Sequence, residues 1–114
     1  MSRARAVPAA PARDAAPLFA ALGDETRLSL LLGLAAGGPG SIVRLRGKHR
    51  VSRQAVTKHL EVLSDAGLVR SVRIGRERIW ELQPRRLAEA HAYLDRISRQ
   101  WDDALARLRA FVEG

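Results

Sequence analysis

Apolar residues recur at three- and four-residue intervals along most of the chain and change to a shorter period once. Over 15–22, Leu18, Phe19 and Leu22 make one apolar stripe, with Asp14 placed to cap the helix and Gly23 to end it. Asp24 caps a second helix that reaches residue 36, with Leu28, Leu31, Leu32 and Ala35 at helical spacing and Glu25 suited to the helix dipole. Gly37-Gly38-Pro39-Gly40 stops it. Ser41 then caps a short third helix, with Ile42 and Leu45 inward and Arg44 and Arg46 outward, followed by a turn over 47–51. Ser52 caps a fourth helix, which ends at Ala66 with Gly67 beyond it. Its buried stripe is Val56, Leu60 and Leu63, supported by Ala55, Val62 and Ala66. Arg53, Gln54, Thr57, Lys58 and Glu61 occupy the other side.

The period shortens after Gly67. Residues 68–73 and 78–83 read as two strands, joined by the tight turn Ile74-Gly75-Arg76-Glu77 with Gly75 free to take positive φ. Pro84 suits the first turn of a last helix. There Leu87, Leu94, Trp101 and Leu108 are seven residues apart, and Ala90, Ile97, Ala104 and Phe111 repeat the step. Such a stripe runs about 28 residues, or roughly 42 Å. That exceeds what one small domain can cover. Either part of the stripe meets another chain, or the helix breaks, and 98–103 is where a break would fall. The expected fold is mainly α with a small β-hairpin wing, a winged helix-turn-helix in the order α-α-α-α-β-β-α with a long C-terminal helix. The expected organisation is a disordered arm over 1–13, a DNA-binding domain over 14–83 and a dimerisation helix over 84–114.

Composition narrows the function. With 114 residues the chain forms one domain. Its longest apolar stretch, 30–36, is interrupted by Gly33, far short of the roughly 18 residues a membrane span needs. The Ala-, Arg- and Pro-rich start has no apolar core of a secretory signal, and Pro8, Pro11 and Pro17 count against an amphipathic leader. Cysteine is absent, which removes disulfides, thiolate ligands and thiol nucleophiles and suits a reducing cytoplasm, the expected location. No His stands near a plausible nucleophile and acid, and no Gly-rich phosphate loop occurs, so neither an enzyme nor a cofactor is expected.

The net charge is +8, and it is unevenly placed. Residues 41–86 hold twelve of the twenty Lys and Arg but four of the twelve Asp and Glu, so the whole surplus lies in that window. A proteome that favours Arg explains eighteen Arg against two Lys, but not the local shortage of acids. A basic window over a helix-turn-helix and hairpin is the footprint of double-stranded DNA. The major groove admits one helix, whose N-terminal side chains reach base edges together. Arg53 suits guanine, Gln54 adenine, Thr57 a thymine methyl or a phosphate, and Lys58 either base or phosphate. Ser52 and His59 complete the candidates on this helix, although His59 lies between its faces, where a hydrogen bond between helices competes with a DNA contact. The hairpin carries Arg70, Arg73, Arg76 and Arg78, of which Arg73, Arg76 and Arg78 are the candidates for backbone or minor-groove contact.

The same residues carry a resemblance. Leu22-Gly23-Asp24-Glu25-Thr26-Arg27-Leu28 resembles the opening of the second helix in the ArsR/SmtB family of bacterial repressors. Ser52-Arg53-Gln54-Ala55-Val56-Thr57-Lys58-His59-Leu60, with Leu63 and Ala66-Gly67-Leu68-Val69, resembles that family's recognition helix and the start of its wing. The likeness covers roughly 18–82. It implies a homodimer joined through the first and last helices, a two-fold-symmetric operator and repression by promoter occlusion. It puts DNA contacts on Arg53, Gln54, Thr57 and Lys58 and the wing contacts on Arg73 and Arg76. The dimer candidates are Leu18, Phe19, Leu87, Leu94, Ile97, Trp101, Leu105 and Leu108.

The departures concern metals. Where many members carry a cysteine pair, this chain reads Ile42-Val43-Arg44-Leu45-Arg46. Glu89 and His91 match half of another site and Asp102 a third position, but Leu105 stands at the last, a poor set for zinc. No metal site is therefore assigned, and His91 reads as a residue of the dimer seam. Trp101 reads as packing rather than as the wall of a ligand pocket, and Trp80 as packing beneath the wing. Arg27 reads as steadying its own helix end, His49 as solvated, and Arg85 and Arg86 either extend the phosphate track or are ordinary surface. Two alternatives remain. One is a metal- or effector-responsive repressor using His91 with nearby acids, or an unknown small molecule. The other is a winged-helix module that binds protein.

Overall fold

The computed structural model describes residues 12–47 and 51–114, so most of the expected arm and most of the turn with His49 lie outside the described residues. Five helices and one hairpin follow in the order α1 (Ala12–Leu22), α2 (Glu25–Gly37), α3 (Ile42–Arg46), α4 (Arg53–Asp65), β1 (Val69–Ile74), β2 (Glu77–Leu82) and α5 (Pro84–Glu113). The chain is a winged helix-turn-helix, mainly helical with a long C-terminal helix.

Two of the helix starts follow from local chemistry. The Asp24 carboxylate accepts from the Arg27 N–H at the head of α2, and Ser52 Oγ accepts from the Ala55 N–H at the head of α4. Ser41 stands at the head of α3 without a side-chain cap. At the far end of α4, the Gly67 N–H donates to Ser64 O and the Leu68 N–H to Leu63 O, a Schellman closure with Gly67 at φ +79°.

Three expectations need correction. Asp14 does not cap α1 but lies in its first turn, and Pro17 sits inside the helix. Ala15, Leu18 and Ala21 hold one face of α1 in the core, while Pro17 lies on the exposed side, so the lost backbone donor faces water. On α2 the buried face is Leu30, Leu31 and Leu34, whereas Leu28, Leu32 and Ala35 are exposed. That helix is apolar almost all round, and periodicity cannot choose a face when both are apolar. Leu18, a dimer candidate, is 1% exposed within its own chain and has no surface left for a partner.

The core gathers Leu18, Leu30, Leu45, Val56, Leu60, Leu63, Leu68, Val69 and Trp80 from the first four helices and the base of the hairpin. The strands are antiparallel, Ile74 facing Glu77 across the Gly75-Arg76 turn, where Gly75 takes φ +62° as the turn geometry demands. A third backbone segment braces the wing: Gly40 and Trp80 exchange hydrogen bonds of 3.0 and 2.8 Å. Phe19 of α1 meets Tyr93 of α5 with ring centroids 5.7 Å apart. α5 runs unbroken through 98–103, and beyond Tyr93 it leaves the body of the molecule almost wholly exposed.

Candidate nucleic-acid interface

Alternation along the hairpin decides where its arginines point. Val69, Ser71 and Arg73 share one face with Leu82, Trp80 and Arg78, and this face begins in the core and passes its edge toward the tip. Arg73 and Arg78 are direct cross-strand partners. Like charges so placed repel. Arg78 is partly occupied: its guanidinium lies 4.5 Å from the Trp80 ring centroid and its Nε donates to Ser71 Oγ. Arg73 and Arg76 are exposed. Arg70, on the opposite face, pairs with Glu81 and is neutralised.

α4 presents its polar side to the same region. Ser52, Arg53, Gln54 and Lys58 are exposed. Thr57 is half-buried, and its hydroxyl donates to Arg53 O at 2.9 Å, leaving the methyl group and the acceptor side of the hydroxyl free. Arg53, Arg76 and Arg78 line an open cleft of about 230 Å³ with Ser41, Ile42, Val43 and Glu77. The structure thus brings the head of α4 and the tip of the wing to one cleft. Arg46 is the residue that the helix pattern left aside. Its Nε donates to Val51 O, and it shares a second indentation with Val43, Gly47 and Arg53. Its position in the last turn of α3, next to the turn before α4, was the available signal.

His59 is turned away from this face. Its Nδ1 lies 3.3 Å from an Arg27 guanidinium nitrogen and 3.7 Å from the Asp24 carboxylate, both at the junction of α1 and α2. The Arg27 backbone N–H holds Asp24 below the usual carboxylate range; burial opposes it, and the proximity of His59 and Arg27 adds to the lowering. His59 thus makes a bond between helices in this fold.

The dimer candidates divide. Phe19 and Leu87 are half-buried against their own core, whereas Leu94, Ile97, Trp101, Leu105 and Leu108 are between 43% and 64% exposed. Glu89 and His91 are two residues apart, about 200° around a helix, so they do not face one ion together. Glu89 instead pairs with Arg86 and Arg85. Among the described residues no three His, Asp or Glu side chains gather into a metal cluster. Among them, too, no helix is long and apolar enough to cross a membrane.

A family model described as a helix-turn-helix domain matches residues 22–72, which hold α2 through most of β1. The HTH-type transcriptional regulator Rv2034 of Mycobacterium tuberculosis is 40% identical over 93 residues, covering 82% of this chain and 83% of its own. A solved ArsR-like transcriptional regulator from Rhodococcus sp. RHA1 is 38% identical and superposes with a TM-score of 0.73 over 87% of this chain and 92% of that one. The chain belongs to the ArsR family of transcriptional regulators. The structure of the AntR antimony-specific transcriptional repressor is a more distant match, 27% identical with a TM-score of 0.61, covering 88% of this chain and 91% of that one. This ArsR-family regulator is a DNA-binding protein of a class that is not enzymatic. It has no cysteine with which to hold a metal.

Proposed function

We propose that this regulator is a homodimeric repressor that reads a two-fold-symmetric operator. Residues 14–83 make the DNA-binding unit and 84–114 the dimerisation helix. Arg53, Gln54, Thr57 and Lys58 address base edges, and Ser52 fixes the helix end that carries them. Arg73, Arg76 and Arg78 lie along the adjacent backbone or minor groove. The observation that carries the reading is the shared cleft of Arg53 and the wing arginines, which puts base-reading and phosphate-binding groups on one surface. Repression follows from occlusion, since a dimer spanning two major grooves about 34 Å apart covers a promoter element. AntR is a repressor by its own description, in keeping with this sign of control.

The test is an anisotropy titration against the DNA upstream of its own gene and against random duplex at physiological salt. Tighter binding to the former, on the order of 10³-fold, is expected. A reporter driven by that promoter should rise when the regulator is deleted. Equal affinity for both duplexes, or a reporter that falls, would overturn the reading.

A further inference from the structure

Arg27 bonds to four other residues, spread over three helices and their caps. Its backbone N–H donates to the Asp24 carboxylate at 3.0 Å, which caps α2. Its Nε donates to Ala21 O at 2.6 Å and a terminal nitrogen reaches Ala20 O at 3.4 Å, so the guanidinium closes the open carbonyls at the end of α1. Its other terminal nitrogen reaches His59 Nδ1 at 3.3 Å, 32 residues along the chain. One planar group therefore ties α1, α2 and the recognition helix α4 together.

A guanidinium only donates, so Nδ1 is the acceptor in this contact. His59 stands beside Leu60, at the margin of the stripe that packs α4 on the core. Apolar packing is not directional and leaves some freedom of rotation about the helix axis. A hydrogen bond at the margin of the stripe removes it. A rotation of about 10° moves side-chain tips roughly 5–6 Å from the axis by about 1 Å, enough to spoil a bidentate bond to a base. Resting on the DNA-reading role proposed above, we infer that Arg27 and His59 are positioning residues that set the rotation of the recognition helix, and with it the preference for the specific site.

Asp24 and Arg27 face His59 from the same junction, and from α1 the carbonyls of Ala20 and Ala21 surround Arg27. The ratio of specific to non-specific affinity is the proper readout, because phosphate contacts alone bind any duplex.

The experiment measures that ratio, at fixed salt and pH, for the full chain and for Arg27→Ala, His59→Ala, their double variant and His59→Asn. The duplexes are the regulator's own upstream DNA and a random sequence. Urea unfolding of each variant accompanies the titrations. Each alanine variant should lose about tenfold in the ratio, the size of one positioning hydrogen bond, while non-specific affinity holds. The double variant should lose no more than Arg27→Ala alone, because Arg27→Ala already removes the bond that His59→Ala breaks. His59→Asn keeps an acceptor near the position of Nδ1, so it should restore the ratio. If Arg27→Ala fails to fold, the two His59 variants decide alone. An unchanged ratio in His59→Ala, or a His59→Asn variant that loses as much of the ratio as His59→Ala, would refute the inference. A wild type that distinguishes the duplexes alongside indifferent variants removes the clasp alone, and a wild type that does not distinguish them removes the operator reading as well.

Discussion

Gly67 ends the recognition helix at φ +79°, and a Cβ there would stand 2.8 Å from Arg86 Cγ. Arg86 in turn donates to Ala66 O at 3.1 Å, reaches Asp14 O at 3.4 Å and pairs with Glu89, so it joins α1, the end of α4 and α5. Gly67→Ala therefore meets two costs, a left-handed backbone worth about 1–2 kcal/mol and the displacement of Arg86. A loss of roughly 2 kcal/mol in urea unfolding is expected, with an unchanged denaturant slope. A loss below about 0.5 kcal/mol, the size of an ordinary surface change, would show that neither constraint operates. This position was legible in the sequence because a C′ glycine is local chemistry, as the caps Asp24 and Ser52 are. The partner of His59 was not legible. It lies 32 residues away, and nothing within the recognition helix distinguishes a histidine turned to α2 from one turned to DNA.

Among the elements, the wing was clear because its period is two and its turn contains a glycine, and both survive in the structure to within one residue. The face of α2 was not, since an apolar helix offers no contrast and only the packing of Leu30 and Leu34 chooses its orientation. The start of α1 was misplaced by Asp14, which reads as an N-cap in the sequence but lies in the first turn of the helix. The wing also carries a prediction of its own. Arg73 and Arg76 are exposed beside the cleft that Arg53 lines, while Arg70 is held by Glu81 and Arg78 lies over Trp80. Replacing Arg73 and Arg76 by alanine should weaken binding to every duplex alike and reduce the slope of log affinity against log salt by about 0.9 for each phosphate no longer neutralised. Replacing Arg70 should do much less. Titrations at several salt concentrations check both, and an unaltered slope in the double variant would mean that the wing does not meet the phosphates.

For the molecule as a whole the decisive measure is shape. The radius of gyration is 18.2 Å, against about 13 Å for a compact chain of this length. The excess comes from α5, whose 30 residues span about 45 Å although Ala90 is its one buried residue. A helix that breaks could have folded its second half back onto the body, but α5 is continuous. With the break removed, the dimer proposed above is what would cover the exposed Leu94, Ile97, Trp101, Leu105 and Leu108. Replacing Trp101 and Leu108 together by glutamate puts charge into that seam without touching the body, because both side chains are more than half exposed in the single chain. The variant should sediment as a monomer and unfold with the DNA-binding unit intact. Its affinity for a two-fold operator should drop about a hundredfold, since two linked half-sites gain at least that much from being bound together. Its affinity for a single half-site should match that of a wild-type subunit. A variant that still sediments as a dimer and holds the full operator would mean that the exposed stripe of α5 serves some purpose other than joining two recognition helices.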